Sequence, residues 1–198
     1  MLNVRLRLLV VILLAIASKP TFAQTDLWKN VGGFTPVHLK SYVPTQTELA
    51  RIQKTLLGRV KLDDWPCAEE TDDREWTRNL VFEELPISIN EKIVLVEAGQ
   101  GCARGGQGAN GAMWVLRFRG DKFSLIATPQ LSFNGWLYAI QETSSHGFRD
   151  LVLGWHMSAR EGGLTYFRFD GTSYQAVGQA TYLSDDDGSE KIIPKTAN

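Results

Sequence analysis

Short apolar segments separated by turn residues fill the chain from Leu80 onward, and this pattern restricts the fold more than any other feature. The segments are rich in β-branched and aromatic residues, and clusters of Gly, Asn and Asp separate them. They cover residues 80–85, 92–96, 113–118, 123–128, 136–141, 150–155, 164–169 and 174–177. Strands joined by such short turns pair antiparallel, because a parallel crossover needs a dozen or more residues. The sequence therefore predicts a mostly β fold, of the α+β class, built from antiparallel hairpins.

Two of the predicted hairpins resemble each other and indicate an internal β repeat. Residues 115–123 and 166–174 both read apolar-apolar-Arg-Phe-x-Gly-x-x-aromatic, and each copy follows an apolar strand. Their spacing is close to the period of propeller blades. In the second copy, Asp170-Gly171 favours a type I′ turn, because this dipeptide accepts positive φ angles. We expect the repeats to span about residues 92–128 and 149–178.

The second copy also resembles a known family. The segments HGFRDLVLG at residues 146–154 and GLTYFRFDG at residues 163–171 are similar to an FG-GAP or VCBS-type β-propeller repeat, as found in exported bacterial proteins of unassigned function. The resemblance lies mainly in residues 146–174 and implies a β-repeat architecture, with no catalytic residue. In the FG-GAP family an Asp-rich calcium loop precedes the Gly-aromatic-x-Asp-Leu segment. Residues 143–146 hold no carboxylate here. The repeats are compatible with a sandwich, a barrel or a partial propeller.

One helix is predicted ahead of the strands. Thr45 with Glu48 three residues later forms a capping box, in which each side chain bonds the other residue's backbone amide. Gly58 supplies the stop signal. Between them, one face carries the apolar residues Leu49, Ile52, Leu56 and Leu57. We expect a helix over residues 46–57 with one buried stripe, preceded by an irregular arm over residues 24–44.

The first 23 residues read as a secretory signal peptide. Arg5 and Arg7 precede an unbroken apolar run at residues 8–17, and Thr21-Phe22-Ala23 offers small residues before a cut. Ten apolar residues are too few to span a membrane, which takes about 20. Residues 24–198 are then one β-rich domain in the periplasm or outside the cell, with no membrane span in the mature chain.

The charge balance excludes two classes of partner. Loss of Arg5, Arg7 and Lys19 reduces the 21 Lys and Arg to 18 against 22 Asp and Glu, a net charge of −4. A nucleic-acid binder needs a basic face, and so does a protein that adheres to anionic lipid. We expect no nucleic-acid partner.

Two cysteines, Cys67 and Cys102, are the only ones in the chain. An exported protein meets an oxidising compartment, so a disulfide bond between them is expected. A metal pair needs further ligands at short spacing, and neither cysteine has them nearby.

Two other motifs suggest ligands by composition alone. The acidic run over residues 63–75 lacks the spacing and central Gly of an EF-hand, so it predicts a solvated loop. Residues 106–111 match G-x-G-x-x-G, but a β pattern follows where a dinucleotide fold needs a helix. We therefore predict no metal and no cofactor.

The best candidate for a binding surface is the loop that follows the strand at residues 150–155. Ligand-contacting residues often lie on loops held by rigid strands. This loop and its border combine an aromatic ring with hydrogen-bonding and charged groups: Trp155, His156, Arg160 and Glu161. Trp136, after Asn134-Gly135, is also expected to be partly exposed.

These features favour an exported, non-catalytic binding or interaction module with a protein or glycan ligand. The alternative is a small periplasmic hydrolase or a hydrolase inhibitor, with His156 beside Ser158 and Asp150. In an extended strand Asp150 and His156 lie about 20 Å apart. An enzyme would need the strand to bend, and no catalytic residue is assigned.

Overall fold

The computed structural model describes residues 24–32, 37–57, 79–99, 110–129 and 133–195. Within these ranges it contains the helices α1 (Gln24–Trp28) and α2 (Gln46–Leu57). Its strands are β1 (Lys40–Ser41), β2 (Leu80–Glu84), β3 (Lys92–Ala98), β4 (Gly111–Arg119), β5 (Lys122–Ala127), β6 (Asn134–Ser145), β7 (Phe148–His156), β8 (Glu161–Phe169), β9 (Tyr174–Ser184) and β10 (Glu190–Pro194). The predicted signal peptide, both cysteines, the acidic run and most of the Gly-rich motif lie outside the described residues.

The strands form one antiparallel sheet in the order β1-β2-β3-β4-β6-β7-β8-β9-β10, with β5 on β4. The first half of the sheet, β1 to β5, joins the second half, β6 to β10, where Gly111 and Ala112 of β4 pair with Gly135 and Asn134 of β6. The segments predicted as repeats contain consecutively paired strands, β3-β4-β5 in the first and β7-β8-β9 in the second. The mostly β fold of antiparallel hairpins is confirmed.

The sheet encloses its main core between its two halves. Alternate residues of a strand point to opposite faces, so Leu95 of β3 joins a different cluster from Val94 and Val96. Leu95 packs in one buried cluster with residues of the second half, among them Leu151 and Phe167. The inner faces of the two halves therefore share a core, and each outer face needs its own cover.

Helix α2 covers the outer face of the first half, at the residues predicted for it. The capping box is present: the Thr45 amide donates to Glu48 Oε2 at 2.8 Å, and the Glu48 amide donates to Thr45 Oγ1 at 3.2 Å. Ile52 and Leu56 are fully buried against Trp114. Local capping and one apolar stripe are sufficient to specify this element.

The outer face of the second half is covered by α1. Trp28 packs edge-on against Tyr166 of β8, with ring centroids 5.8 Å apart. The prediction of an irregular arm was wrong here, because residues 24–28 form a helix and residues 40–41 a strand. Both elements are too short to show a period in sequence, and tertiary contacts fix them.

The prediction of a type I′ turn at Asp170-Gly171 was also wrong. Phe169 pairs with Tyr174, so a four-residue loop connects β8 to β9, and Asp170 does not have a positive φ. The Asp170 carboxylate instead accepts hydrogen bonds from the amides of Thr172 and Ser173, each at 2.8 Å. The two-residue connection with positive φ at both positions is His146-Gly147, between β6 and β7 (φ 52° and 80°).

Candidate functional site

A cavity of about 370 Å³ lies on the outer face of the second half of the sheet. We call it the aromatic pocket. Its described lining residues are Trp136, Tyr138, His156, Ala159, Tyr182, Ser184 and Glu190. The volume falls within the range of about 300–1,000 Å³ that is usual for small-molecule sites.

Strand register brings these residues to one face. His156 of β7 pairs with Gly162 of β8, and Gly162 pairs in turn with Tyr182 of β9. Paired residues lie on the same face of a sheet, as do residues two apart along one strand. Ser184 therefore shares a face with Tyr182. Tyr138 lies at a β-bulge in β6 and packs in the same cluster as Trp136. Ser184 pairs with Glu190, which adds β10 to the wall.

Two glycines give the aromatic rings room to lie close to the sheet. A Cβ atom on Gly154 would come within 2.6 Å of Trp136 Cε2, and one on Gly162 would come within 2.2 Å of Tyr182 Cε1. Glycine inside a strand weakens it and often marks a close approach. The glycines at these two positions are therefore part of the site.

The rings of Trp136, His156 and Tyr182 contact one another at the pocket. His156 stacks on Trp136 with centroids 4.0 Å apart, and its Nδ1 atom lies 2.8 Å from the Tyr182 hydroxyl. Trp136 and Tyr182 stand almost perpendicular, at 80° with centroids 6.2 Å apart. The rings therefore form a corner, with walls in two directions.

Glu190 supplies the carboxylate of the pocket. Its Oε2 atom accepts a hydrogen bond from the Tyr138 hydroxyl, which also lies 3.2 Å from the Gly32 carbonyl oxygen. Burial, the hydrogen bond to Glu190 and its negative charge raise the pKa of Tyr138 far above its ordinary value. Burial, followed by the charge of Glu190, also raises the pKa of Tyr182. Both phenols therefore stay protonated and act as hydroxyl groups.

The backbone of His156 is held from the other half of the sheet. The His156 amide donates to Asn110 Oδ1 at 2.8 Å, and Asn110 Nδ2 donates to the His156 carbonyl oxygen at 3.0 Å. The Asn110 side chain thus bonds the end of β7 as a neighbouring strand would. These bonds fix the position of the His156 backbone, from which its imidazole extends.

The four residues predicted to bind a ligand do not all lie at this pocket. His156 lines the pocket, whereas the described lining residues do not include Trp155, Arg160 or Glu161. Trp155 lies on the opposite face of β7, where its ring occupies the space above Gly163. Arg160 forms an ion pair with Asp186, and the Glu161 carbonyl oxygen accepts the amides of Met157 and Ser158 at 2.9 Å.

The residues of the hydrolase alternative have separate partners. Ser158 Oγ accepts the backbone amides of Arg160 and Glu161, at 3.3 and 3.1 Å, so it shapes the loop. Asp150 is fully buried, and its Oδ2 atom accepts hydrogen bonds from the side chains of Thr143, Tyr166 and Arg168. Neither side chain has a described hydrogen bond to His156.

Sequence reasoning missed most of the pocket, although one signal was present. Trp136 and Tyr138 alternate along one predicted strand, which indicates a shared face. Tyr182, Ser184 and Glu190 lie in the segment after residue 177, where no strand was predicted, and residues 185–188 form a turn within it. In the structure that turn connects β9 to β10.

Comparisons with known proteins found no match to this chain. No protein-family model matches the chain, and neither the curated proteins nor the solved structures gave a match. Within the described ranges, no three His, Cys, Asp or Glu residues are grouped to hold a metal ion. No helix in the described part of the chain is long and apolar enough to cross a membrane.

Proposed function

We propose that this protein is an exported, non-catalytic binding module and that the aromatic pocket is its ligand site. One observation carries the proposal: three aromatic rings, an imidazole and a carboxylate from β6, β7, β9 and β10 converge on one cavity. Apolar walls with a few convergent polar groups are typical of small-ligand sites. The ligand is a small molecule or the end group of a larger protein or glycan.

The contacts of His156 favour binding over catalysis. Nucleophilic catalysis requires a hydroxyl or thiol that an adjacent base activates. The hydroxyl beside His156 Nδ1 belongs to Tyr182, and burial raises the pKa of this phenol. A phenol held in its protonated form is a poor nucleophile but a good hydrogen-bond donor. For the alternative of a small periplasmic hydrolase or a hydrolase inhibitor, the pocket offers the hydroxyl of Ser184 in place of that of Ser158.

The pocket can be blocked from its exposed rim. Ala159 is exposed and lines the cavity, so Ala159→Trp fills it without disturbing the sheet. Met157→Trp is the matched control, because Met157 is exposed on the same loop and is not among the described lining residues.

The test is calorimetric titration of purified protein with monosaccharides, amino sugars and small ammonium ions. We expect at least one compound to bind wild type and Met157→Trp equally and to lose at least tenfold in affinity for Ala159→Trp. Equal affinity for both variants, or no binding by any compound, would overturn the assignment of the site. NMR spectra of the bound compound after prolonged incubation separate the alternatives, since a hydrolase would convert its substrate.

Export and the Cys67–Cys102 disulfide complete the proposal, and both rest on the sequence. The mature protein is expected to begin at Gln24, and both thiols should resist alkylation until a reductant is added. An intact Met1 start in the periplasmic fraction would contradict export, and two reactive thiols in the native protein would contradict the bridge. A relation to FG-GAP or VCBS-type repeats has one supporting feature, which is that residues 115–123 and 166–174 each form a hairpin after a partner strand.

A further inference from the structure

The aromatic pocket carries a negative charge on one wall. Glu190 is the single carboxylate among its described lining residues, and these include neither Lys nor Arg. The charge acts inside the cavity: it contributes, after burial, to the raised pKa values of both Tyr138 and Tyr182. Among the described lining residues, the charged group therefore favours a cation over an anion.

The other walls are aromatic. The faces of aromatic rings are electron-rich and attract cations, most strongly when water is excluded. The ring planes of Trp136 and Tyr182 meet at 80°, and the ring centroids of Tyr138 and Tyr182 lie 6.4 Å apart at 34°. Both tyrosines are almost fully buried, so Trp136 is the ring of the three that a ligand can contact most. Walls in two directions suit a compact, rounded group, whereas a flat sugar ring is matched by one parallel platform.

We infer that the aromatic pocket selects a small organic cation, with an alkylated ammonium group next to the partly exposed Trp136 ring and the Glu190 carboxylate. This inference rests on the proposed binding function and narrows it to one ligand chemistry. The Ser184 hydroxyl and the Tyr182–His156 pair lie at the same cavity and can hydrogen-bond a polar substituent of the ligand.

The experiment compares two ligands of the same shape and different charge. Choline carries a trimethylammonium group, and 3,3-dimethylbutan-1-ol carries an uncharged tert-butyl group in its place. Calorimetric titration at pH 8 is expected to give choline an affinity at least tenfold higher. Free ammonium compounds and amino sugars form separate arms, which distinguish a quaternary ammonium ligand from a primary amine on a sugar.

Two variants locate the source of the preference. Glu190→Gln retains an oxygen that can accept the Tyr138 hydroxyl, so we expect it to fold and to lower choline affinity about tenfold while leaving the neutral alcohol unchanged. Asp186→Asn removes the same charge from an exposed residue outside the described lining and should leave both affinities unchanged. If Glu190→Gln does not fold, Trp136→Leu supplies the comparison and should weaken choline more than the alcohol.

The outcomes separate this inference from the proposed function. Equal affinity for choline and the alcohol, both lost in Ala159→Trp, would overturn the cation inference and leave the pocket as the ligand site. Preference for choline that survives in Ala159→Trp would overturn both. Failure of choline to bind, while a neutral sugar binds in the pocket, would also reject the cation.

Discussion

The side-chain amide of Asn110 forms two hydrogen bonds with the backbone of His156, 46 positions away in the sequence. Asn110 directly precedes β4, and His156 is the last residue of β7. The contact therefore ties the start of one strand in the first half of the sheet to the rim of the aromatic pocket. A substitution at Asn110 is therefore expected to weaken ligand binding, although Asn110 is not among the described lining residues.

Asn110→Ala should lower the free energy of unfolding by about 1–2 kcal/mol, because it removes two hydrogen bonds between the Asn110 side chain and the His156 backbone. Urea denaturation measures this loss, and ligand titration should show weaker binding. Asn134→Ala is the matched control, since Asn134 makes one long side-chain hydrogen bond, 3.4 Å to the Pro129 carbonyl oxygen. Equal losses in both variants would contradict the role of Asn110.

Gly162→Ala and Gly154→Ala should displace the rings of Tyr182 and Trp136. At Gly162 an added Cβ would lie 2.2 Å from both the Tyr182 ring and the Trp155 carbonyl oxygen, and at Gly154 it would lie 2.6 Å from the Trp136 ring. Forcing extra atoms into a packed position costs about 1–3 kcal/mol. Near-ultraviolet circular dichroism should change in both variants. Gly32→Ala provides the control, because its Cβ would meet nothing within 4 Å, and a spectrum changed as strongly there would refute the steric argument.

Acid should weaken the fold partly through Glu91. Hydrogen bonds from Arg117, and then its positive charge, hold the pKa of Glu91 below its ordinary value. A carboxyl whose folded-state pKa is lowered stabilises the fold above its unfolded value of about 4.3, and that contribution is lost as the pH falls through the folded pKa. Denaturation measured from about pH 6 down to about pH 3 should show a shallower acid loss in Glu91→Gln. The same change at exposed Glu142 should leave the wild-type slope.

The buried Asp150 makes Arg168 important for stability. Asp150 is fully buried, and Arg168 donates to its Oδ2 atom from Nε and Nη2 at 3.3 and 3.2 Å. Arg168→Met leaves a buried carboxylate without its cation and should cost about 3–5 kcal/mol. Adding Asp150→Asn removes the charge, so the double variant should recover part of the loss. A double variant that is less stable than the single one would contradict this account.

The parts of the fold that local chemistry determines were predictable. The capping box at Thr45 and Glu48 fixes where α2 starts, and alternation within β3 and β4 fixes which side chains enter each core. Contacts distant in sequence decided the rest. Residues 24–28 form a helix because Trp28 packs against Tyr166 and its neighbours. Strand β10 forms because it pairs with the edge of β9.

The candidate site follows the same division. His156 and the partial exposure of Trp136 were predicted from local patterns. Tyr182 and Glu190 enter only through strand register, which depends on pairing across β7 to β10. Trp155, by contrast, is an aromatic residue next to a polar loop, as a binding residue often is, but it lies on the other face of its strand.

The most direct test of the central claim is a crystal structure of the protein with tetramethylarsonium, the arsenic analogue of a quaternary ammonium ion. Arsenic scatters anomalously, so its position is found independently of the surrounding density. We predict an anomalous peak in the aromatic pocket, beside the Trp136 ring and near the Glu190 carboxylate. A peak only elsewhere on the protein, or none at a saturating concentration, would contradict the assignment of an organic cation to this pocket.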